Sequence, residues 1–198
     1  MSKPITANMV AGLRTQTGAG LMDCKKALTE NDGDADKAID WLRKQGIAAA
    51  SKRTGRDTKE GRIEQYIHTG NKVGTLLEIN CETDFVAKNE TFQQLAKDIC
   101  MHITAAAPEY VSREDVPQAI LEKEHAIIAE GIKGKAEAVR EQIVQGRLNK
   151  IYGDICLLEQ PFVKNPDQTI QDLITETINK LGENIVIKRF VRYHLGEE

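Results

Sequence analysis

Apolar residues recur at helical spacing in three short segments at the start of the chain. The three stripes are Ile5, Met9, Val10 and Leu13; Leu21, Cys24, Ala27 and Leu28; and Ala35, Ala38, Ile39 and Leu42. Thr6 and Asp34 precede the first and third stripes and are good N-cap residues. Gly18 and Gly46 follow these stripes and favour helix ends. The pattern therefore predicts a small bundle of three helices.

A linker is predicted after this bundle. Residues 47–61 are rich in Ala, Lys, Arg, Thr and Gly, which indicates a helix that fades into a linker. We therefore divide the chain into two domains. The first comprises the three helices and the start of the linker, residues 1–53, and the second comprises residues 54–198.

Three segments of the second domain alternate between apolar and polar residues, as strands do. Two of them lie on either side of the turn at residues 69–72 and predict a β-hairpin. The third runs from Ile185 to Tyr193. Together they predict a three-stranded antiparallel sheet. Leu76, Val186 and Phe190 lie on the side of their strands opposite the core set, so neither face of this sheet is wholly polar and the second face needs cover.

Helical spacing predicts the remaining elements of the second domain. The expected helices are Asn89 to about Ala106, a helix capped by Asp115 and broken by Gly131 and Gly134, a helix around Val139–Val144, and a helix opened by Thr169 and Asp172 that stops at Gly182. Residues 155–162 are apolar but include Pro161, so we predict an extended coil there. We place His102 at the edge of the core. The fold class is α+β, with helices on one side of the sheet.

Composition and charge narrow the possible partners. Charged residues make up 29% of the chain and the net charge is −3, whereas strong nucleic-acid binders usually carry a basic face. One basic stretch, residues 51–62, is first interpreted as a solvated linker. The alternative is a small nucleic-acid-binding adaptor that uses this stretch. Because the overall balance is acidic, we expect no nucleic-acid partner.

The apolar runs and the cysteines predict the cellular compartment of the protein. No apolar run approaches the roughly 20 residues of a membrane span, and the N-terminus lacks the layout of a signal peptide. The four cysteines lie far apart without metal-binding spacing, which indicates reduced thiols. We therefore expect a cytoplasmic protein without a membrane partner, a metal or a cofactor.

Catalytic motifs are absent from the sequence. It contains no phosphate-binding glycine loop, no G-x-S-x-G elbow and no H-E-x-x-H segment. A small enzyme built on Asp84, Glu82 and His68 remains an alternative, but the missing loops weigh against it. We therefore expect a binding protein that makes and breaks no bonds.

The turn between the second strand and the next helix carries the most informative residues. It places Asp84 and Phe85 side by side where a strand ends and a helix begins, a position at which scaffolds present functional side chains. Phe85 has two interpretations. It plugs the sheet–helix junction, which the pattern favours, or it contacts a partner.

Two segments resemble the signatures of one family. The sequence TDFVAKN at residues 83–89 is similar to the signature of elongation factor Ts, the guanine-nucleotide exchange factor of the GTPase elongation factor Tu. The sequence LRTQTGAGLMDCKKAL at residues 13–28 resembles that family's other signature. The resemblance covers residues 1–103 and 150–195. It implies that the three N-terminal helices form a domain of the ubiquitin-associated type.

The resemblance also implies site residues and an oligomeric state. The family inserts its Asp-Phe turn against the nucleotide domain of the GTPase and disturbs phosphate and Mg²⁺ binding, which falls here on Thr83, Asp84, Phe85 and Val86. The family's N-terminal contact falls by position on Leu13, Leu21 and Met22, although core packing is the alternative for each. Longer members carry a second core module, whereas this chain resembles the short, single-module form. We therefore predict a homodimer, in which a second copy covers the sheet.

Overall fold

The computed structural model of the chain describes residues 4–132 and 136–197, and only the backbone of residues 137 and 138. The predicted helix break at Gly134 lies outside these residues. The elements are α1 (Ala7–Thr17), α2 (Leu21–Glu30), α3 (Ala35–Ser51), β1 (Glu60–Ile67), β2 (Val73–Cys81), α4 (Asp84–Ala87), α5 (Glu90–Ala106), α6 (Gln118–Glu130), α7 (Glu137–Ile155), β3 (Pro161–Phe162), β4 (Asn165–Thr169), α8 (Ile170–Leu181) and β5 (Ile185–His194). Two short 3₁₀ helices, Arg113–Asp115 and Leu157–Glu159, complete the set.

The three predicted N-terminal helices are present with the expected caps. The Thr6 hydroxyl accepts a hydrogen bond from the Met9 N–H at 3.3 Å, and the Asp34 carboxylate accepts one from the Lys37 N–H at 3.1 Å. Their buried core comprises Val10, Leu13, Cys24, Ala27, Leu28 and Ala38. Helix α3 does not end at Gly46, because one glycine costs only about 1 kcal/mol and alanines follow it.

The predicted three-stranded antiparallel sheet is confirmed, with strand order β1-β2-β5. The His68 N–H donates to the Val73 carbonyl oxygen at 2.9 Å and closes the hairpin between β1 and β2. One face of β2 is buried at Thr75, Leu77, Ile79 and Cys81. Helix α5 packs on this face, where the Thr75 and Thr104 hydroxyls lie 2.8 Å apart. The fold is therefore a mixed helix-and-sheet structure.

Two local predictions in the second half of the chain are wrong. Asp115 does not cap α6: its carboxylate accepts hydrogen bonds from the Ser112 N–H and hydroxyl, at 2.9 and 2.7 Å, and closes a capping box on the 3₁₀ turn. Residues 155–162 are not coil. They end α7, form a 3₁₀ turn and then enter β3, which pairs antiparallel with β4. Pro161 is tolerated because it starts the strand of a two-stranded sheet.

The described residues divide into two compact units. The first comprises Met1–Gly61, Asn80–Phe92 and Ile174–Val186, and the second comprises Arg62–Ile79, Gln93–Leu173 and Ile187–Glu198. The first unit therefore joins the N-terminal helices to two later segments of the chain. The domain boundary at residue 53 stays a prediction.

His102 lies fully inside the second unit, not at the core edge as predicted. Its Nδ1 accepts a hydrogen bond from the Val163 N–H at 3.3 Å, and its Nε2 lies 2.9 Å from the Gln160 side-chain oxygen, to which it donates. These partners define a neutral imidazole. Burial lowers the pKa of His102, and the hydrogen bond to Gln160 opposes this shift only in part.

We expect acid to destabilise the protein through His102. The unfolded chain binds a proton near the ordinary histidine pKa of 6.5, whereas the folded chain resists it. The free energy of unfolding is therefore full above pH 6.5 and falls as the pH drops toward the lowered folded pKa. Urea unfolding of His102→Gln measures this, because the variant lacks the titrating group. Its stability is lower by about 1–3 kcal/mol at neutral pH, but its fall with acid is flatter. A pH slope as steep as that of the unchanged protein contradicts the assignment.

Candidate functional site

The Asp-Phe turn forms a four-residue helix directly after β2. Thr83 is the N-cap of α4, and its hydroxyl lies 3.5 Å from the Val86 N–H. None of the four residues of α4 is buried. So short a helix has neither a long hydrogen-bond ladder nor an apolar core of its own, and its geometry depends on what holds its ends.

Phe85 is exposed, and the interpretation of this residue as a plug is wrong. Its relative exposure is 82%, whereas Phe92 at the start of α5 is completely buried. The core position at the sheet–helix junction is thus already filled by Phe92. Val86 and Ala87, which follow Phe85, are half-buried. The ring of Phe85 thus lies in solvent beside two half-buried neighbours.

Asp84 is ionised and paired within its own helix. Its carboxylate accepts a hydrogen bond from the Lys88 Nζ at 2.7 Å. That hydrogen bond lowers the pKa of Asp84, and the same contact raises the pKa of Lys88. Lys88 is exposed to solvent, and Asp84 is half-buried. Asp84 is therefore negatively charged beside Phe85 at neutral pH, and the Lys88 ammonium balances this charge.

Glu183 holds the chain immediately before α4. One oxygen of its carboxylate accepts hydrogen bonds from the N–H groups of Glu82 and Thr83, at 3.1 and 3.0 Å. The other accepts one from the Thr83 hydroxyl at 2.6 Å. Hydrogen bonds to a carboxylate are stronger than those between neutral groups. Glu183 thus binds the N-cap residue of α4 from about one hundred residues further along the chain.

Glu82 makes the reciprocal contact. Its carboxylate accepts a hydrogen bond from the Asn184 N–H at 2.6 Å and lies 3.5 Å from the Arg56 guanidinium. Asn184 is itself buried and donates from its side chain to the Arg56 carbonyl oxygen at 3.2 Å. Sequence reasoning missed Glu183 and Asn184. The sequence signal that could have pointed to them is an acid and an amide directly after Gly182, where α8 ends.

The three residues of the alternative catalytic site have other partners. Glu82 and Asp84 make the contacts just described, and the His68 ring lies 3.1 Å from the Tyr66 hydroxyl. Across residues 4–132 and 136–197 there is no group of three or more metal-ligating side chains. These contacts favour a binding site over a catalytic one.

The predicted N-terminal contact residues separate into two classes. Leu21 and Met22, at the start of α2, are 54% and 71% exposed, whereas Leu13 is 3% exposed within the core of the helical bundle. Leu13 therefore packs beneath the surface and does not face a partner directly. Leu21 and Met22 form an exposed apolar pair, which we call the α2 pair.

Most charges of the basic stretch are occupied within the chain. Arg53 donates to the Ala49 carbonyl oxygen at 3.0 Å, and the Lys59 ammonium lies 2.9 Å from the Asp57 carboxylate. Arg56 lies against Glu82, and the Arg62 guanidinium lies 2.9 Å from the Glu64 carboxylate. Acidic partners of this kind weaken the attraction of a phosphate backbone.

Within the part of the chain that the structure describes, every helix is too short or too polar to cross a bilayer.

Comparison with known proteins identifies the class of protein. The sequence model of the family "Elongation factor TS" matches residues 47–197. The chain is thus a translation elongation factor. It belongs to the elongation factor Ts family, whose role is nucleotide exchange in translation elongation.

Relatives match over nearly the whole chain. Elongation factor Ts of Geotalea daltonii is 57% identical over 195 residues. Those of Geobacter metallireducens and Carboxydothermus hydrogenoformans are each 58% identical over the same length. In each case the match covers 98% of this chain and 90% of the relative. The family suggested by the two sequence signatures is confirmed.

Proposed function

We propose that this protein binds elongation factor Tu in its GDP-bound form and promotes GDP release by inserting the Phe85 ring. The observation that carries the proposal is the exposure of this ring on a turn whose start is held by the Glu183 carboxylate. Large aromatic residues in such positions dominate the energetics of protein interfaces. The family membership supports the choice of partner.

The proposed mechanism is a coupling of two binding equilibria. GDP is held largely through its phosphates and Mg²⁺, so a wedge that shifts the groups holding them weakens GDP. By reciprocity, GDP weakens the binding of the factor by the same ratio. GTP then displaces the factor, and no bond is made or broken. The protein therefore acts without a cofactor of its own.

The residues around Phe85 have supporting roles in this proposal. Thr83 is the N-cap of the helix and donates a hydrogen bond to Glu183, so it orients the ring. Asp84 supplies a charge at the rim of the contact, where Lys88 already pairs with it. Val86 is half-buried beside the ring. Phe85 accordingly contributes most of the coupling.

The α2 pair supplies a second contact with the same partner. We assign the three-helix bundle to the ubiquitin-associated type, in which Leu13 supports the surface from within. Methionine is common at adaptable binding surfaces because its side chain is flexible. The acidic partners of the basic stretch disfavour the nucleic-acid adaptor, and we propose a protein that works in the cytoplasm without nucleic-acid or membrane partners.

A second copy of the chain is the proposed cover of the sheet. The apolar residues Ile63, Ile67, Leu76, Val191 and Tyr193 are exposed within the second unit. Ile67 lies against the Gly74 backbone, and Arg189 pairs with Glu78 at 2.7 Å, so the three strands present these residues on one face. We call this the open sheet face. Exposed apolar surface of this kind marks an interaction site, which supports a homodimer.

Replacing Phe85 tests the exchange mechanism. Because the ring is exposed, Phe85→Ala should change the free energy of unfolding by less than about 1 kcal/mol. Because the wedge is lost, the maximal rate of GDP release from elongation factor Tu should fall about ten- to thirty-fold. Fluorescent GDP and thermal unfolding measure the two effects.

Ile127→Ala is the matched control for Phe85→Ala, since Ile127 is an exposed apolar residue of α6. It should leave both measurements unchanged. Asp84→Ala should weaken exchange less than Phe85→Ala does. A stable Phe85→Ala protein that exchanges normally rules out the proposed wedge.

Replacing the α2 pair separates affinity from mechanism. Leu21→Ser with Met22→Ser should raise the concentration of factor that gives half-maximal GDP release about tenfold, since two apolar contacts are lost. The maximal rate should stay within about twofold, because Phe85 is untouched. Ile47→Ser, at an exposed position of α3, is the control. A collapse of the maximal rate at unchanged half-saturation contradicts this division.

Sedimentation equilibrium tests the homodimer. The unchanged protein should sediment as a dimer at tens of micromolar, and Leu76→Lys should shift it to a monomer, because a charge is then buried at the centre of the open sheet face. Ile127→Lys places the same charge on α6 and should leave the dimer intact. A monomer for the unchanged protein at these concentrations refutes the proposal.

A further inference from the structure

Helix α4 carries the proposed wedge but provides little of its own support. It has four residues, none of them buried, and its N-cap bond from the Val86 N–H to the Thr83 hydroxyl is long at 3.5 Å. The position of Phe85 therefore depends on contacts made by the residues before the helix. Three of those contacts are made by one side chain, Glu183.

The Glu183 carboxylate is well placed to fix the direction of the chain. It binds two consecutive N–H groups through one oxygen and the Thr83 hydroxyl through the other. Three bonds to two residues define both the position and the rotation of the peptide units that lead into α4. Phe85 follows Thr83 by only two residues, so little freedom remains between the anchor and the ring.

Glu183 is itself held from both sides. Gly182 ends α8 with φ of 79°, a left-handed conformation that side chains disfavour, and its N–H bonds to the Ile178 carbonyl oxygen at 2.8 Å. On the other side, the Asn184 N–H donates to the Glu82 carboxylate, and Asn184 is buried. The Glu82 N–H thus donates to Glu183, and the Glu82 carboxylate accepts from Asn184, so hydrogen bonds run in both directions between the two segments.

We propose that Glu183 is a positioning residue for nucleotide exchange, which acts by holding the Asp-Phe turn in the orientation that inserts Phe85. This inference rests on the proposed function. Without the anchor the turn samples other orientations, and only the competent fraction inserts the ring. The free energy needed to order the turn is then spent during exchange, which slows GDP release. Contacts made elsewhere, such as those of the α2 pair, are not affected.

The first measurement concerns the protein alone. Amide hydrogen exchange of Glu82 and Thr83 should be about tenfold faster or more in Glu183→Ala, while the amides of α5 stay protected. Glu183→Gln keeps one neutral acceptor and should show a smaller change. Glu176→Gln alters an exposed glutamate of α8 and is the matched control. Unchanged exchange at Glu82 and Thr83 in Glu183→Ala overturns the inference.

The second measurement is GDP release from elongation factor Tu at saturating factor. Glu183→Ala should lower the maximal rate about tenfold, and Glu183→Gln should lie between it and the unchanged protein. If Glu183 acts through Phe85, adding Glu183→Ala to Phe85→Ala should cost less than about twofold more. An equal loss in both backgrounds, or no loss in the first, overturns the positioning role.

The two proposals fail in different ways. If the unchanged protein accelerates GDP release and Glu183→Ala does so equally well, the inference is overturned and the proposed function stands. If the unchanged protein does not accelerate release at all, the proposed function falls and this inference falls with it. A lower melting temperature of Glu183→Ala alone does not save either proposal from a contrary result, because Glu183→Gln, the milder change, is measured beside it.

Discussion

The antiparallel pairing of β2 with β5 is the constraint on which the site depends. It brings the residues after the end of β2 beside the residues before the start of β5, although about one hundred positions separate them in sequence. At that junction Glu82 and Glu183 each accept backbone hydrogen bonds from the opposite segment. A carboxylate satisfies two or three donors at once, so a few side chains suffice to hold a turn that has no core.

The core beneath this junction decides which of its two aromatic residues is buried. Phe92 fills the core position at the start of α5, which leaves Phe85 without a place inside the protein. Burial of one aromatic residue and exposure of the other are therefore linked. Apolar area removed from water stabilises a fold by about 25 cal/mol per Å². The exposed ring forgoes that gain, as expected for the proposed insertion of this side chain into a partner.

The α2 pair and the open sheet face are exposed apolar surfaces besides Phe85, and they differ in kind. The α2 pair is a small patch on a helical bundle whose core is complete without it. The open sheet face is broader and belongs to strands whose other side is already packed. The small patch fits the proposed contact that adds affinity, whereas the broad sheet face fits the proposed interface with a second copy.

The sequence by itself determined most of the local elements and the family. Helical spacing, strand alternation and the caps at Thr6, Asp34 and Thr169 depend on neighbouring residues, and so do the two signatures. Tertiary structure decided the exposure of Phe85, the burial of Leu13 and His102, and the β3–β4 pairing. It also placed Glu183 against Thr83. An amphipathic period shows that a residue has an apolar side, but which residue fills a shared space, and which distant donors meet an acceptor, is settled only when the elements pack.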